Sequence, residues 1–466
     1  MKLYNTPKRK LEEFIPIKKG KVGVYSCGPT VYWNQHIGNM YAFVVWDVMV
    51  RFLKYLDNDV NWVMNITDVG HMTGDNVGDA DTGEDRMEKG AKREGLTVWQ
   101  IAEKYISQFK ESAELLNISP DVLPRATEHI NEQIELIKQI EKNGFAYKTK
   151  TGLVFNTAKF KDYAVFAKLD LKKQRAGSRV AVDPEKKQPE DFLLWVTNQP
   201  NHIMQWDSPW GKGFPGWHLE CTAMSVKYLG KKFDIHTGGK EHPPVHHTNE
   251  VAQGYGAYAD NTANYWLHNE WLSLKGEEMG KSKANFITIQ DLVEKGYDPM
   301  CFRYLVLTSH YRKGLFFSYK SLDSAKVAYE RLGELIRSWK VSSRSSLSED
   351  KLKKVDEYRD KFISKIGNDL NYPEGLAILW EVAKSNLPNT DKLDLVLSFD
   401  EVFGLRLRRY LESENIPDEV RELINRRLEY RSAGNFDKAD EMRKEVEKKG
   451  YKIEDTENGQ RVKRIN

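Results

Sequence analysis

Two short apolar runs, Val22 to Tyr25 and Val60 to Ile66, flank a longer apolar run from Tyr41 to Leu56. Runs of strand length bounded by turn residues predict buried strands and the longer run predicts a helix, so the chain opens as a βαβ unit. Residues 73–95, TGDNVGDADTGEDRMEKGAKREG, are acidic and glycine-rich and predict a mobile solvated loop. Asp79 to Gly83 has the look of a calcium loop, but its glycine comes one position early and no Glu closes it. Helices are predicted over Val98–Asn117 and Thr127–Asn143, the second with Ile130, Ile134, Ile137 and Ile140 on one stripe and Gly144 as its stop. Short strand-like pieces and charged turns from Leu153 to Gln199 read as an insertion, after which the α/β rhythm resumes at Trp217 and runs through Phe233–His236 to Trp266–His268.

Beyond a lysine-rich loop at Lys275 to Lys283, helical patterns dominate, over Pro299–Thr308, Ser321–Lys340 and on to about Glu414, with a serine-rich linker at Val341–Asp350. The last fifty residues form a small unit. One helix there is expected to turn Val420, Leu423, Ile424 and Leu428 inward, a second Ala439, Met442 and Val446, before two short strands around Glu457-Asn458-Gly459. The basic end, Arg461-Val462-Lys463-Arg464, reads either as a solvated terminus or as an edge that meets phosphates. The expected architecture is α/β: a Rossmann-type parallel-sheet catalytic domain split by an insertion, then an α-helical bundle and a small mixed α/β unit. Its expected boundaries are 1–120 and 201–275 for the two halves, 121–200 for the insertion, 276–330 for the lysine loop and the region after it, 331–415 for the bundle and 416–466 for the end unit.

Composition narrows this little. The 71 basic and 68 acidic residues nearly cancel, which neither suggests nor excludes a nucleic-acid partner. No basic start with an apolar h-region and no apolar run of about 18 residues is present, so a cytoplasmic protein with no membrane span is expected. Cys27, Cys221 and Cys301 are too few and too scattered for a disulfide framework, which leaves burial, metal binding or nucleophilic roles.

Three stretches carry candidate chemistry. In the first, Cys27-Gly28-Pro29 follows the first strand, and His36-Ile37-Gly38-Asn39 stands at a helix start, where free N–H groups attract phosphate. In the second and third, GWHLECTAMS and HPPVHHTNEVAQ, a helical His246 and Glu250 would share one face while His247 points away. With Cys27 and Cys221 they supply two thiolates, an imidazole and a carboxylate, a set that zinc accepts; two buried cysteines and an unrelated surface pair fit the same residues. The loop KGEEMGKSKANF, residues 275–286, is either a solvated charged loop or a means of placing a lysine on a polyphosphate.

Taken together these stretches resemble the cysteinyl-tRNA synthetases of the class I aminoacyl-tRNA synthetase family. The resemblance runs through Cys27-Gly28-Pro29-Thr30-Val31-Tyr32, His36–Asn39, Asn65-Ile66-Thr67-Asp68, PRATEHI at 124–130, AGSRV at 176–180, PGWHLECTAM at 215–224, HHTNE at 246–250 and the lysine loop. It closes with RRLEYRSAGNFDKADEMRKE and EDTENG. The resemblance implies one zinc held by Cys27, Cys221, His246 and Glu250, which takes the substrate thiolate as a further ligand. It implies Gly28 and Thr67 beside the amino acid, Trp217 and His218 as its aromatic wall, and Glu241 as a partner for its ammonium. ATP, carried with Mg2+, is matched to His36, Gly38, Asn39, Lys281 and Ser282, with His36, Asn39 and Lys281 as catalytic groups. Asn39 stands where the family has a second histidine, and Glu278 and Gly280 replace the first Lys and Ser of its Lys-Met-Ser-Lys-Ser loop. L-cysteine, ATP and tRNA(Cys) are the implied partners of a chain expected to be monomeric, its end region reading the anticodon arm. A ligase that joins activated cysteine to an amino sugar would share the core but lack that end, and a non-catalytic RNA-binding paralogue would not need the metal set.

Overall fold

The computed structural model describes residues 1–70, 85–169, 184–274, 277–278, 286–339, 348–411, 417–456 and 459–464. Its centre is a four-stranded parallel sheet in the order Ala263–Asn269, Phe233–Gly239, Lys21–Ser26, Asp59–Met64. Most positions along its strands are buried, polar ones included, because both faces are covered. The chain leaves the central strand Lys21–Ser26 to one side and returns on the other, which opens a crevice at the carboxyl ends of the strands. Isolated parallel bridges from Val63 to Val122 and from Ile66 to Arg125 extend the sheet beyond Asp59–Met64.

The first helix, Ile37–Tyr55, starts four residues before the predicted Tyr41 because its cap is built from polar groups. His36 Nδ1 accepts the N–H groups of Gly38 and Asn39, and Asn39 Oδ1 accepts the N–H of His36. Part of the loop expected over 73–95 is helical instead, from Arg86 to Glu94. Asp85 caps it through the Glu88 N–H, Met87, Gly90 and Ala91 face inward, and Gly95 closes it in the left-handed region. Composition predicted a loop there, but capping and three inward positions are enough to fold the segment against helix Val98–Leu115.

The inserted segment is an antiparallel sheet of Ala146–Thr149, Gly152–Phe155, Phe192–Thr197 and Gly213–Pro215. Its last strand lies beyond residue 200, so the antiparallel pairing runs past the point where the second half of the parallel sheet was expected to begin. Helices Pro299–Leu307, Tyr319–Ser338, Glu349–Ile366, Tyr372–Lys384 and Asn389–Phe403 follow, and one continuous apolar core joins them to Ile37–Tyr55. The N-terminal strand Lys2–Asn5 is tied to distant parts of the chain. Lys2 N–H donates to Gly367 O at 2.7 Å, Tyr4 N–H to Asp369 Oδ1 at 2.9 Å, and Trp266 N–H to Asn5 Oδ1 at 3.0 Å.

The end unit has its own small core of Val420, Ile424, Val446, Tyr451 and Ile453. Leu428, expected inward, is exposed, and Arg427 is buried in its stead, with a bidentate pairing to Asp455 at 2.8 and 2.9 Å. A charged residue one position along the helix was invisible to a count of apolar positions, and a matching carboxylate makes its burial tolerable. Among the described residues no helix is long and apolar enough to cross a membrane.

Candidate active site

A cavity of about 630 Å³ opens at the carboxyl ends of the parallel strands. Cys27, Gly28, Thr67, Trp217, Cys221, Glu241 and His246 line it, and at its other end stand His36, Gly38 and Asn39. His218 is not among the lining residues: it is buried behind Trp217 and shares a hydrogen bond of 2.9 Å with His246 Nδ1. Lys281 and Ser282 lie outside the described residues, as do AGSRV at 176–180 and most of the lysine loop. Within that loop, Glu277–Glu278 pairs as a short strand with Ser273 and Leu274.

The turn after strand Lys21–Ser26 brings Cys27 to the cavity wall. Gly28 is required there by close approach, since a Cβ would lie 1.7 Å from the Asn65 carbonyl oxygen. Its N–H donates to Asn65 Oδ1 at 2.9 Å. Asn65 Nδ2 donates to Thr67 Oγ1 at 3.1 Å, and that hydroxyl donates to Glu220 Oε2 at 2.8 Å. Asn65, Thr67 and Glu220 are all buried, so this chain of bonds fixes Thr67 against the cavity.

Cys27, Cys221, His246 and Glu250 bring one donor atom each to within 4.8 Å of one another. Helix Trp217–Leu229 carries Cys221, and Thr248–Tyr258 carries Glu250. His246 Nε2 stands 3.1 Å from Glu250 Oε1, and Glu250 Oε2 accepts from His236 Nε2 at 2.9 Å. His246 belongs to a π-helical turn, Pro243–His247, in which the His247 N–H donates five residues back to His242 O at 3.0 Å. That wider turn changes the angle between neighbouring side chains. His247, expected to point away, therefore turns inward, its Nε2 3.2 Å from Cys27 Sγ, while its Nδ1 shares a hydrogen bond of 2.7 Å with His268. His236 and His247 form with Cys27 and Glu250 a second group of donors that overlaps the first.

The electrostatics favour charged donors in part of the set. Burial, then the Cys221 thiol, pushes Cys27 well up, whereas the Cys27 contact lowers Cys221 in spite of burial. Burial opposes the charged form of His246, but the Glu250 charge and the hydrogen bonds that the imidazole makes to Cys221 and Glu250 outweigh it and raise it to about 10. Burial likewise opposes ionised Glu250, yet His236 and His246 hold it well below the usual carboxylate range. His242 is pushed down to about 4 by burial and His247 falls well below its ordinary value for the same reason, so both are neutral near pH 7. Two thiols, an imidazole and a carboxylate in one buried cluster match the donor types and number of a four-coordinate zinc site. The hydrogen bond between His246 Nδ1 and His218 Nδ1 is the kind of outer contact that orients such a ligand, with the ligating imidazole as donor.

Several lining residues were given no role from the sequence, although Asn65 lay in a motif quoted there: Trp33, Asn65, Arg86, Asn269, Trp271 and Phe286. Asn269 ends its parallel strand and Trp271 follows two residues on, so the rule that ligands sit at strand carboxyl ends was the signal that could have found them.

Residues 13–327 match the family described as tRNA synthetases class I (C) catalytic domain. The chain is 43% identical to a protein named cysteine–tRNA ligase 1 of Burkholderia lata, over 99% of this chain and 96% of that one. It is 40% identical to the cysteine–tRNA ligase of Treponema denticola, over 98% of each. Among solved structures, methionyl-tRNA synthetase of Mycobacterium tuberculosis bound by methionyl-adenylate shares the fold, with a TM-score of 0.57 and 14% identity over 84% of this chain and 92% of that one.

Proposed function

Because this chain belongs to the cysteine–tRNA ligase family of class I aminoacyl-tRNA synthetases, we propose that its cavity activates L-cysteine with ATP and passes it to the 3′-terminal adenosine of tRNA(Cys). The observation that carries this reading is the convergence of Cys27, Cys221, His246 and Glu250 on a cavity that also holds the start of helix Ile37–Tyr55. Those four residues would hold zinc, which supplies a Lewis acid for the substrate thiolate that a protonated serine hydroxyl cannot match. Size alone would separate the two amino acids by only about 10 to 200-fold, so a contact specific to the thiol removes the need for editing.

The rest is positioning. Gly28 and Thr67 bound the amino acid on one side and Trp217 on another, while Glu241 offers a carboxylate to its ammonium. His218 acts from behind by orienting His246. His36, Gly38 and Asn39 receive ATP at the helix start, and Lys281 with Ser282 is assigned to the polyphosphate of Mg-ATP, where an ammonium offsets the charge that builds on leaving pyrophosphate. In the first step a cysteine carboxylate oxygen bonds to the α-phosphorus as the bond to pyrophosphate breaks. In the second, the terminal ribose hydroxyl attacks the adenylate carbonyl and AMP leaves. Holding the reactants in line accounts for much of the acceleration. Residues 331–466 are assigned to the anticodon arm, in a monomeric cytoplasmic enzyme.

The test is Cys221→Ser. Zinc content measured on the purified protein should fall well below one per chain, and cysteine-dependent exchange of pyrophosphate into ATP should be lost with it. Loss of metal with exchange intact overturns the zinc assignment. For the wild-type protein, exchange without charging of tRNA(Cys) overturns the transfer step, and neither activity overturns the whole reading.

A further inference from the structure

The carboxylate of Glu241 is unusually well fixed for a side chain that is half exposed. It folds back over the end of strand Phe233–Gly239, where a Cβ on Gly239 would lie 2.3 Å from Oε1 and 2.4 Å from Oε2. The indole N–H of Trp271 donates to Oε2 at 2.8 Å. Oε1 has His242 Nε2 at 3.9 Å, beyond hydrogen-bonding distance. Trp271 is itself held. The Lys240 ammonium sits 3.8 Å from the ring centroid, Lys240 pairs with the Glu270 carboxylate, and Glu270 Oε1 also accepts the Trp271 backbone N–H at 3.1 Å. Lys240 and Glu270 thus brace an exposed indole whose N–H meets the Glu241 carboxylate.

We propose that Trp271 is a positioning residue for amino-acid recognition: its N–H holds Oε2 of Glu241 so that Oε1 is presented to the α-ammonium of the substrate. This rests on the reading of Glu241 as the ammonium partner given above. The division of labour between the two oxygens follows from geometry, since a carboxylate pinned through one oxygen loses rotational freedom before the substrate arrives and spends less binding free energy on being ordered. The indole then discriminates between thiols that carry an α-amino group and thiols that lack one.

The experiment compares Trp271→Phe, Glu241→Gln and the double variant in cysteine-dependent pyrophosphate exchange, with 3-mercaptopropionate, a thiol acid without the ammonium, as competing ligand. Trp271→Phe keeps the ring and deletes the N–H. Its KM for cysteine should rise about ten-fold, the scale of one hydrogen bond to a charged group, while kcat and the KM for ATP stay within about two-fold. The Ki of 3-mercaptopropionate should be unchanged, and in the Glu241→Gln background the Trp271→Phe change should have no further effect on cysteine KM. An equal loss for cysteine and 3-mercaptopropionate, or a full Trp271 effect in the Glu241→Gln background, overturns the proposal. An unchanged cysteine KM in Glu241→Gln overturns the underlying reading of Glu241 instead, and an unaltered KM in Trp271→Phe beside a raised one in Glu241→Gln overturns only the role of Trp271.

Discussion

Arg303→Met would test how the helix that begins at the cavity, Ile37–Tyr55, is tied to the helical region. Arg303 lies on Pro299–Leu307 and is fully buried. Its guanidinium reaches Asp47 of helix Ile37–Tyr55 at 2.5 Å, the Leu116 carbonyl at 2.7 Å and the Phe403 carbonyl at 2.6 Å. Methionine is of similar length but has no donor. Breaking a buried ion pair by removing one partner costs about 3 to 5 kcal/mol. The lower end applies here because Asp47 keeps Arg51 Nε at 2.7 Å. Two carbonyls left without a donor add about 1 kcal/mol each, for a total near 5 kcal/mol. That is a third or more of the ~5 to 15 kcal/mol that holds a typical domain folded. With a urea m-value of about 3 to 4 kcal/mol/M for a chain of this size, the midpoint should fall by roughly 1.2 to 1.7 M. The assay is urea unfolding followed by both tryptophan fluorescence and far-UV circular dichroism, because separate transitions would show the catalytic and helical parts letting go in turn. Adding Asp47→Asn should recover part of the loss by neutralising the carboxylate left behind. A midpoint shift below about 0.3 M in Arg303→Met, or no recovery in the double variant, would refute the reasoning.

Thr67→Val keeps the shape of the side chain but removes the hydroxyl between Asn65 and Glu220, and should cost about 2 to 3 kcal/mol on a thermal melt while raising the KM for cysteine and sparing that for ATP. Glu94 supplies a pH prediction. Burial opposes its ionised form, but hydrogen bonds from Lys104, Tyr105 and Arg93 hold it down to about 2, below its ordinary 4.5. A depressed carboxylate stabilises the fold above its unfolded value and loses that contribution as pH falls through the folded one. The gap in Tm between wild type and Glu94→Gln should therefore be full at pH 6 and close as the pH is lowered from 4.5 toward 2; a gap independent of pH would count against the ion-pair explanation.

Regular periodicity was the part of the fold most legible in the sequence. Strand Lys21–Ser26, helix Ile37–Tyr55 and strand Asp59–Met64 follow from apolar run lengths, and Ile134, Ile137 and Ile140 are buried on the stripe that their spacing marked. Local exceptions were not legible. An α-helical spacing from His246 puts His247 on the far side, and only the π-helical turn after Pro243-Pro244 swings it to Cys27. Leu428 fitted an apolar stripe, but the pairing of Arg427 with Asp455 depends on a strand far along the chain and leaves no trace in a local pattern. The Arg86–Glu94 helix was hidden by acidic composition, although Asp85 and Gly95 were its start and stop signals. Cys27 and Cys221 could be grouped with His246 and Glu250 through the family resemblance, while Trp271 and Asn269 carry no motif and became visible only as neighbours at the ends of strands.

The ties of the N-terminal strand bear on the order in which the molecule can be completed during synthesis. Lys2 and Tyr4 are synthesised long before their partners Gly367 and Asp369, so those bonds must wait until 365 further residues have been translated. Cys27 must likewise wait for Glu250. Over that interval strand Lys2–Asn5 has only its pairing with Lys10–Glu13 to hold it, and Cys27 lacks its distant neighbours. A nascent chain arrested before residue 250 would therefore hold Cys27 without its Glu250 neighbour, and one arrested before residue 369 would lack the contacts that tie down Lys2 and Tyr4 and leave them open to proteolysis.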